Sequence, residues 1–241
     1  MPPSGGAKTP MSCENCLCPF HELPDEDNPF CDPAVRCMVT DAVKQVRFGQ
    51  GEVLFSKGQA SSSLYALTTG IVKICCATTD GREQIIGISS PGNLLVGLQS
   101  IHDDCYEYSA IAATGGIACR ISHRAMLAEM QQRPELSMSL VTALNAQLAH
   151  SRELMRVMGH KCAAAKIASF ISLIVPKPNH LNHRFKLPFS RMEMASLLGL
   201  SEETVCRQMA KLKRKGVIHA PRGRIEILDW DELRTVAEEA A

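Results

Sequence analysis

The chain of 241 residues contains no uninterrupted apolar run near the roughly 18 residues that span a bilayer. Its first thirty residues also lack the charged-then-apolar order of a secretory signal, so the cytoplasm is the expected compartment and no membrane partner is expected. Net charge is nearly absent, with 26 basic residues against 25 acidic ones, which excludes a uniformly basic protein and a self-repelling disordered one. No long-range internal repeat is present. An even cysteine count is missing too: eleven thiols cannot all pair with one another, and an unexported chain keeps most of them reduced. Metal or redox chemistry is their more natural use.

What is present is a globular composition, 45% hydrophobic and 21% charged, at a length that suits one large domain or two ordinary ones. The near-neutral total hides a split, because 14 basic and 9 acidic residues lie from Lys161 onward, against 12 and 16 before it. The stretch from Thr204 to Arg224 holds Arg207, Lys211, Lys213, Arg214, Lys215, Arg222 and Arg224 and no acid, which is the composition of an anion-seeking surface. The cysteines are equally uneven. Cys13, Cys16, Cys18, Cys31 and Cys37 crowd the first forty residues, while Cys75, Cys76, Cys105, Cys119, Cys162 and Cys206 are scattered.

Residues 1–32 mix Pro, Gly, Ser, acids and cysteines with little apolar periodicity, so they read as a loop that packs only when something such as a metal centre gathers it. From Val46 to about Ile121, short apolar runs alternate with the turn signals Lys57-Gly58, Thr69-Gly70, Asp80-Gly81, Pro91-Gly92 and Gly115-Gly116. Strands at such intervals predict an antiparallel barrel or roll. After Pro134 the pattern becomes helical, with Leu136, Leu140, Leu144, Leu148, Met155 and Met158 forming an apolar flank that runs to Gly159. Its narrow seam fits pairing between two copies of the chain; packing on its own barrel is the alternative. Ala163 to Val175 is a further apolar helix, stopped by Pro176.

Ser190-Arg-Met-Glu193 is a capping box that starts a helix carrying Met194, Leu197 and Leu198 inward. Gly199-Leu200-Ser201 breaks it, and Ser201 caps a second helix in which Val205, Met209 and Leu212 face the core. Glu203, Cys206, Arg207, Ala210 and Arg214 are left on the outer face, which has the shape and charge to enter a DNA major groove. The competing role for Glu203 and Arg207 is a plain i,i+4 ion pair. Beyond Gly216, two short apolar runs flank Pro221-Arg-Gly223 and predict a hairpin wing with cations at its tip, set to touch phosphates.

Between Val46 and Leu228 the chain resembles the CRP/FNR family, that of the cAMP receptor protein and the fumarate-nitrate reduction regulator. The resemblance is carried by Gly51-Glu-Val-Leu-Phe-Ser-Lys-Gly58, Leu64-Tyr-Ala-Leu-Thr-Thr-Gly70, Asp80-Gly-Arg-Glu-Gln84, Pro91-Gly-Asn-Leu94 and Leu197-Leu-Gly-Leu-Ser-Glu-Glu-Thr-Val-Cys-Arg207. It implies an α+β protein and not an enzyme. The implied units are a cysteine-rich sensory segment over residues 1–45 and an antiparallel, cyclic-nucleotide-binding-like β-roll, a double-stranded β-helix, over 46–132. A dimerisation helix over 133–159 and a winged helix-turn-helix over 160–241 follow. The resemblance further implies a homodimer, paired along Leu140, Leu144, Leu148, Ser151, Met155 and Met158. Such a dimer binds a palindromic promoter site and, in many members, contacts RNA polymerase as an activator.

The FNR branch reads DNA with a Glu-x-x-Ser-Arg pattern, and Glu203, Cys206 and Arg207 hold those places here, with Cys in place of Ser. Ser201, Lys211 and Arg214 are expected to support the contact, and the implied half-site is TTGAT-like. Arg207 has the geometry to donate two bonds to guanine, and Glu203 to accept from cytosine. The cAMP branch places Arg-Ser or Arg-Thr in its nucleotide pocket, whereas Gly92-Asn93 and Asp104-Cys-Tyr-Glu107 supply no arginine here, so cAMP is disfavoured.

FNR-type oxygen sensors carry an N-terminal cysteine cluster and one cysteine late in the roll. By that resemblance a [4Fe-4S] cluster is held by Cys13, Cys16, Cys31 and Cys119, with Cys18 or Cys37 as replacements for Cys31. The acid that the best-known members place in the dimer seam is here Ser151. Cys37, Cys75, Cys76, Cys105 and Cys162 are expected to be small buried hydrophobes. The rival sensor chemistries are thiols, zinc or haem responding to redox state, nitric oxide or carbon monoxide, with His21 or His102 as the histidines considered. A thiol-disulfide enzyme built on Cys13 and Cys16 lacks the strand-to-helix setting that activates such a pair. A structural zinc module leaves the reading helix unexplained.

Overall fold

The computed structural model describes residues 43–77, 83–91, 93–95, 105–132, 134–175, 185–221 and 224–238. Cys13, Cys16, Cys18, Cys31, Cys37, His21 and His102 lie outside them.

Among the described residues of the N-terminal half are the strands β1 (Val43–Phe48), β2 (Val53–Phe55), β3 (Ser63–Thr69), β4 (Val72–Ala77), β5 (Glu83–Ser89), β6 (Ser109–Ala112) and β7 (Gly116–Ser122). They form two antiparallel sheets, ordered β1-β7-β3 and β2-β6-β4-β5. Two of the glycine turn signals meet at one end. Gly70 takes φ 92°, and a side chain there would meet the Gly115 carbonyl at 2.8 Å. A side chain on Gly116 would collide with the Thr69 carbonyl and the Phe48 ring. Between the sheets lie Phe55, Leu64, Leu67, Val72 and Leu94, all essentially excluded from water. Phe55 stacks on Tyr106 at 4.2 Å, and the Tyr106 hydroxyl donates to the Ser63 carbonyl, so the ring is buried without orphaning its polar tip.

Helix α1 (His123–Gln132) leads into α2 (Pro134–Gly159), whose 26 residues extend about 39 Å. Proline suits the first helical position because it has no N–H to leave unpaired there. One face of α2 serves two cores. Leu140 and Ala143 pack into the roll, whereas Leu154 and Val157 pack with the C-terminal unit. The opposite face leaves Met138, Val141, Leu148 and Met155 exposed.

The C-terminal unit comprises α3 (Ala163–Ile174), β8 (Phe185–Lys186), α4 (Arg191–Leu198), α5 (Glu202–Arg214), β9 (Ile218–His219), β10 (Arg224–Ile227) and α6 (Trp230–Glu238). Its small antiparallel sheet runs β8-β10-β9. The apolar helix α3 lies at its centre, with Ile167, Phe170 and Ile171 fully buried, each contributing about 1.5–3 kcal/mol by leaving water. The core does not stop at the domain boundary: Ile71, Cys75, Ile85, Ile88 and Ala113 of the roll belong to the same apolar cluster as α3, α4 and α5.

Candidate nucleic-acid interface and sensor strand

Both halves of the expected capping box form. The Glu193 amide donates to Ser190 Oγ at 3.1 Å, and the Ser190 amide donates to Glu193 Oε2 at 2.8 Å. Helix α4 ends at Gly199 with φ 63°, the left-handed conformation that lets the chain turn sharply. Ser201 then accepts from the Thr204 amide at 3.2 Å and starts α5. Lys166 Nζ donates to the Leu198 carbonyl at 2.9 Å, tying the end of α4 to α3.

On α5, Val205, Met209 and Leu212 are buried, and Glu203, Cys206, Arg207, Ala210, Lys211, Lys213 and Arg214 are exposed. No ion pair joins Glu203 to Arg207. The two side chains that an internal bridge would have consumed are therefore available to a ligand. Lys215 is removed from the anion-seeking set, because its Nζ lies 3.1 Å from Glu232 Oε1 on α6. The wing forms as β9 paired antiparallel with β10, with Pro221 and Arg224 exposed; Arg222 and Gly223 lie outside the described residues. Exposed cations from α5 and from the wing thus belong to one unit.

Cys119 lies on β7, opposite Gln45 of β1 and Ala66 of β3, half-buried, with its sulfur 3.8 Å from Thr68 Oγ1. Among the described residues, no group of three or more His, Cys, Asp or Glu side chains is placed to hold a metal ion. The remaining cysteines divide. Cys75 is buried between roll and C-terminal unit, and burial, with the Glu83 charge adding to it, raises its thiol to about 11. Cys76 is half-buried. Cys105 and Cys162 were expected to be buried, and both are exposed. Cys162 is the N-cap of α3, a position at a chain bend, and Cys105 sits in an isolated bridge to Ala60.

The residues expected along the pairing seam differ in exposure within the chain. Leu140 is 1% exposed beneath the roll, so it is committed to its own chain, while Leu144 and Met158 are half-buried. Leu148, Ser151 and Met155 remain exposed, and Met138 and Val141 join them. The sequence reading missed the contact between Lys73 of β4 and Glu193 of α4, which are 2.6 Å apart across 120 positions of chain. Nothing local in either segment signals it.

The chain matches the cyclic nucleotide-binding domain over residues 45–133 and the Crp-like helix-turn-helix domain over residues 165–236. It belongs to the CRP/FNR family. Family members are DNA-binding transcriptional regulators, not enzymes, and so is this chain. It is 30% identical over 80% of its length to the nitrogen fixation regulation protein FixK of Bradyrhizobium diazoefficiens, covering 82% of that protein. It is 31% identical over 78% of its length to the transcriptional activator protein FnrL of Cereibacter sphaeroides, covering 77% of it. The structure of FixK2 from Bradyrhizobium japonicum superposes with a TM-score of 0.70 at 20% identity, over 83% of this chain and 99% of that one. No helix among the described residues is long and apolar enough to cross a membrane.

Proposed function

We propose that this family member is an oxygen- or redox-responsive regulator of the FNR type, cytoplasmic, that binds a palindromic TTGAT-like promoter site as a homodimer and activates transcription through RNA polymerase. Its input is a [4Fe-4S] cluster held by Cys13, Cys16, Cys31 and Cys119. The observation that carries the reading is the place of Cys119. It lies one strand inside the sheet edge formed by β1, the strand into which the cysteine-rich segment runs, and it is half-buried rather than sealed. The fourteen residues from Cys31 to Gln45 extend at most about 50 Å, ample for the leader to double back to β7. A thiolate-ligated cluster supplies an oxygen-labile tie between that leader and the roll. Cys119 anchors the tie on a strand immediately before α1 and α2, the elements that run to the reading head.

The DNA contact is assigned to Glu203, Cys206 and Arg207 at base edges, with Ser201, Lys211 and Arg214 supporting them. Dimerisation is assigned to the exposed stripe of α2 that includes Leu148, Ser151 and Met155. Cyclic AMP is not proposed as a ligand. The deciding experiment is anaerobic purification with iron and sulfide analysis, followed by operator binding before and after exposure to air. Brown protein that bleaches and loses operator affinity in air is the expected result. Colourless, iron-free protein with equal affinity in both states overturns the cluster, and iron without sulfide moves the sensor to haem chemistry.

A further inference from the structure

A dimer that reads a palindrome selects half-site spacing through the distance and rotation between its two reading helices. In this chain each winged unit follows α2 beyond a break at His160, so a second attachment is needed to fix its orientation. The apolar part of that attachment, Ile71, Ile85 and Ile88 against the α4 side, is non-directional and tolerates sliding. The charged hydrogen bond from Lys73 Nζ to Glu193 Oε1 is directional.

We propose that Lys73 and Glu193 form a latch that sets the angle of the reading helix against the roll, making Lys73, a residue of the roll strand β4, a positioning residue for operator spacing. It rests on the dimeric, operator-binding reading above. The carboxylate of Glu193 is used at both oxygens: Oε1 takes the roll lysine and Oε2 takes the Ser190 amide that starts α4. One group therefore anchors the helix start and the domain contact together. Burial pushes the Glu193 carboxyl upward, but donors from Lys73 and Ser190 outweigh it and hold the group below its ordinary value, so it stays charged. From α4 the position passes through the Gly199 turn to α5, and the Lys166 bond to the Leu198 carbonyl prevents α4 from yielding at its far end. An exposed bond from Lys186 Nζ to Gln50 Oε1, 3.0 Å, makes a second polar contact between the same two units.

The test uses the full-length anaerobic protein and duplexes in which TTGAT and ATCAA are separated by spacers from zero to about ten base pairs, one helical turn. The variants are Lys73→Gln, Lys73→Arg and Glu193→Gln; glutamine at 193 keeps a capping acceptor, so α4 retains its start. Wild type is expected to prefer one spacer and to lose about tenfold in affinity when one base pair is added or removed. Lys73→Gln and Glu193→Gln are expected to keep the half-site sequence preference but to lose less than about threefold on the same change, while Lys73→Arg restores the wild-type profile. A variant profile identical to wild type overturns the latch and leaves the DNA reading intact. Wild type that binds none of the duplexes at low salt overturns both.

Discussion

Leu140 and Val157 lie on one face of the same helix, seventeen positions apart, and belong to different hydrophobic cores. The first is under the roll and the second against the winged unit, so α2 joins the units through its buried face and leaves the opposite one uncommitted. Two kinds of substitution should then separate. Leu140→Ala is expected to lower stability by about 2–5 kcal/mol in denaturant unfolding, because it leaves a cavity in the roll core. Leu148→Glu and Met155→Glu change exposed side chains and are expected to leave the cooperative unfolding of the fold in place while shifting sedimentation from dimer to monomer. Unchanged dimerisation when Leu148→Glu and Met155→Glu are combined would remove the pairing role of this face.

The reading helix allows base contacts to be told from phosphate contacts. Arg207→Ala is expected to cost about 1–3 kcal/mol and to relax preference at one base position, and Glu203→Ala to relax a neighbouring one. Lys211→Ala and Lys213→Ala are expected to weaken binding evenly across sequences and to reduce the salt dependence by about one unit of slope each. Competition binding against duplexes with single base changes, at several salt concentrations, distinguishes the two patterns.

Thiol reactivity should follow burial. Cys75 combines enclosure with a thiol raised to about 11, whereas Cys206, Cys162 and Cys105 are exposed. Alkylation of the native protein at pH 8, read by peptide mass spectrometry, is expected to label the exposed three first and Cys75 only on unfolding. Early labelling of Cys75 would mean that the roll and winged unit separate in solution.

How far the sequence revealed this molecule depended on how local each signal was. The capping box at Ser190 and Glu193, the Gly199 turn, the burial of Val205, Met209 and Leu212, and the turns at Gly70 and Gly116 are all set by residues within a few positions, and each is found as expected. The split of the long helix into a buried and an exposed face was only partly legible. Steps of four from Leu140 to Leu148 advance about 40° each around the helix, so the series drifts from the face beneath the roll to the exposed one. Leu140 and Leu148 are similar residues with opposite fates for that reason. The Lys73–Glu193 contact had no local signal at all, since each residue is ordinary in its own segment and only the packing of β4 and β5 on α4 brings them together. The exposure of Cys105 and Cys162 departs from the residue's average tendency because their places in the chain, an isolated bridge to Ala60 and a helix N-cap, decide it rather than side-chain character.

Acid titration tests the same carboxylate by a different route. The folded protein holds Glu193 below its ordinary value, the Lys73 and Ser190 donors prevailing over burial, while the unfolded chain returns it to about 4.3. A depressed folded value means that the unfolded state binds the proton more tightly. Its stabilising contribution is thus complete above the unfolded value and is lost as pH falls through the folded one. Glu153, held down chiefly by its hydrogen bond from Arg156, contributes with the same sign. Thermal midpoints between pH 6 and pH 3 are therefore expected to fall more steeply for wild type than for Glu193→Gln, with the two curves converging at the acid end. Parallel curves over that range would show that Glu193 is not held in its charged form by Lys73 in solution.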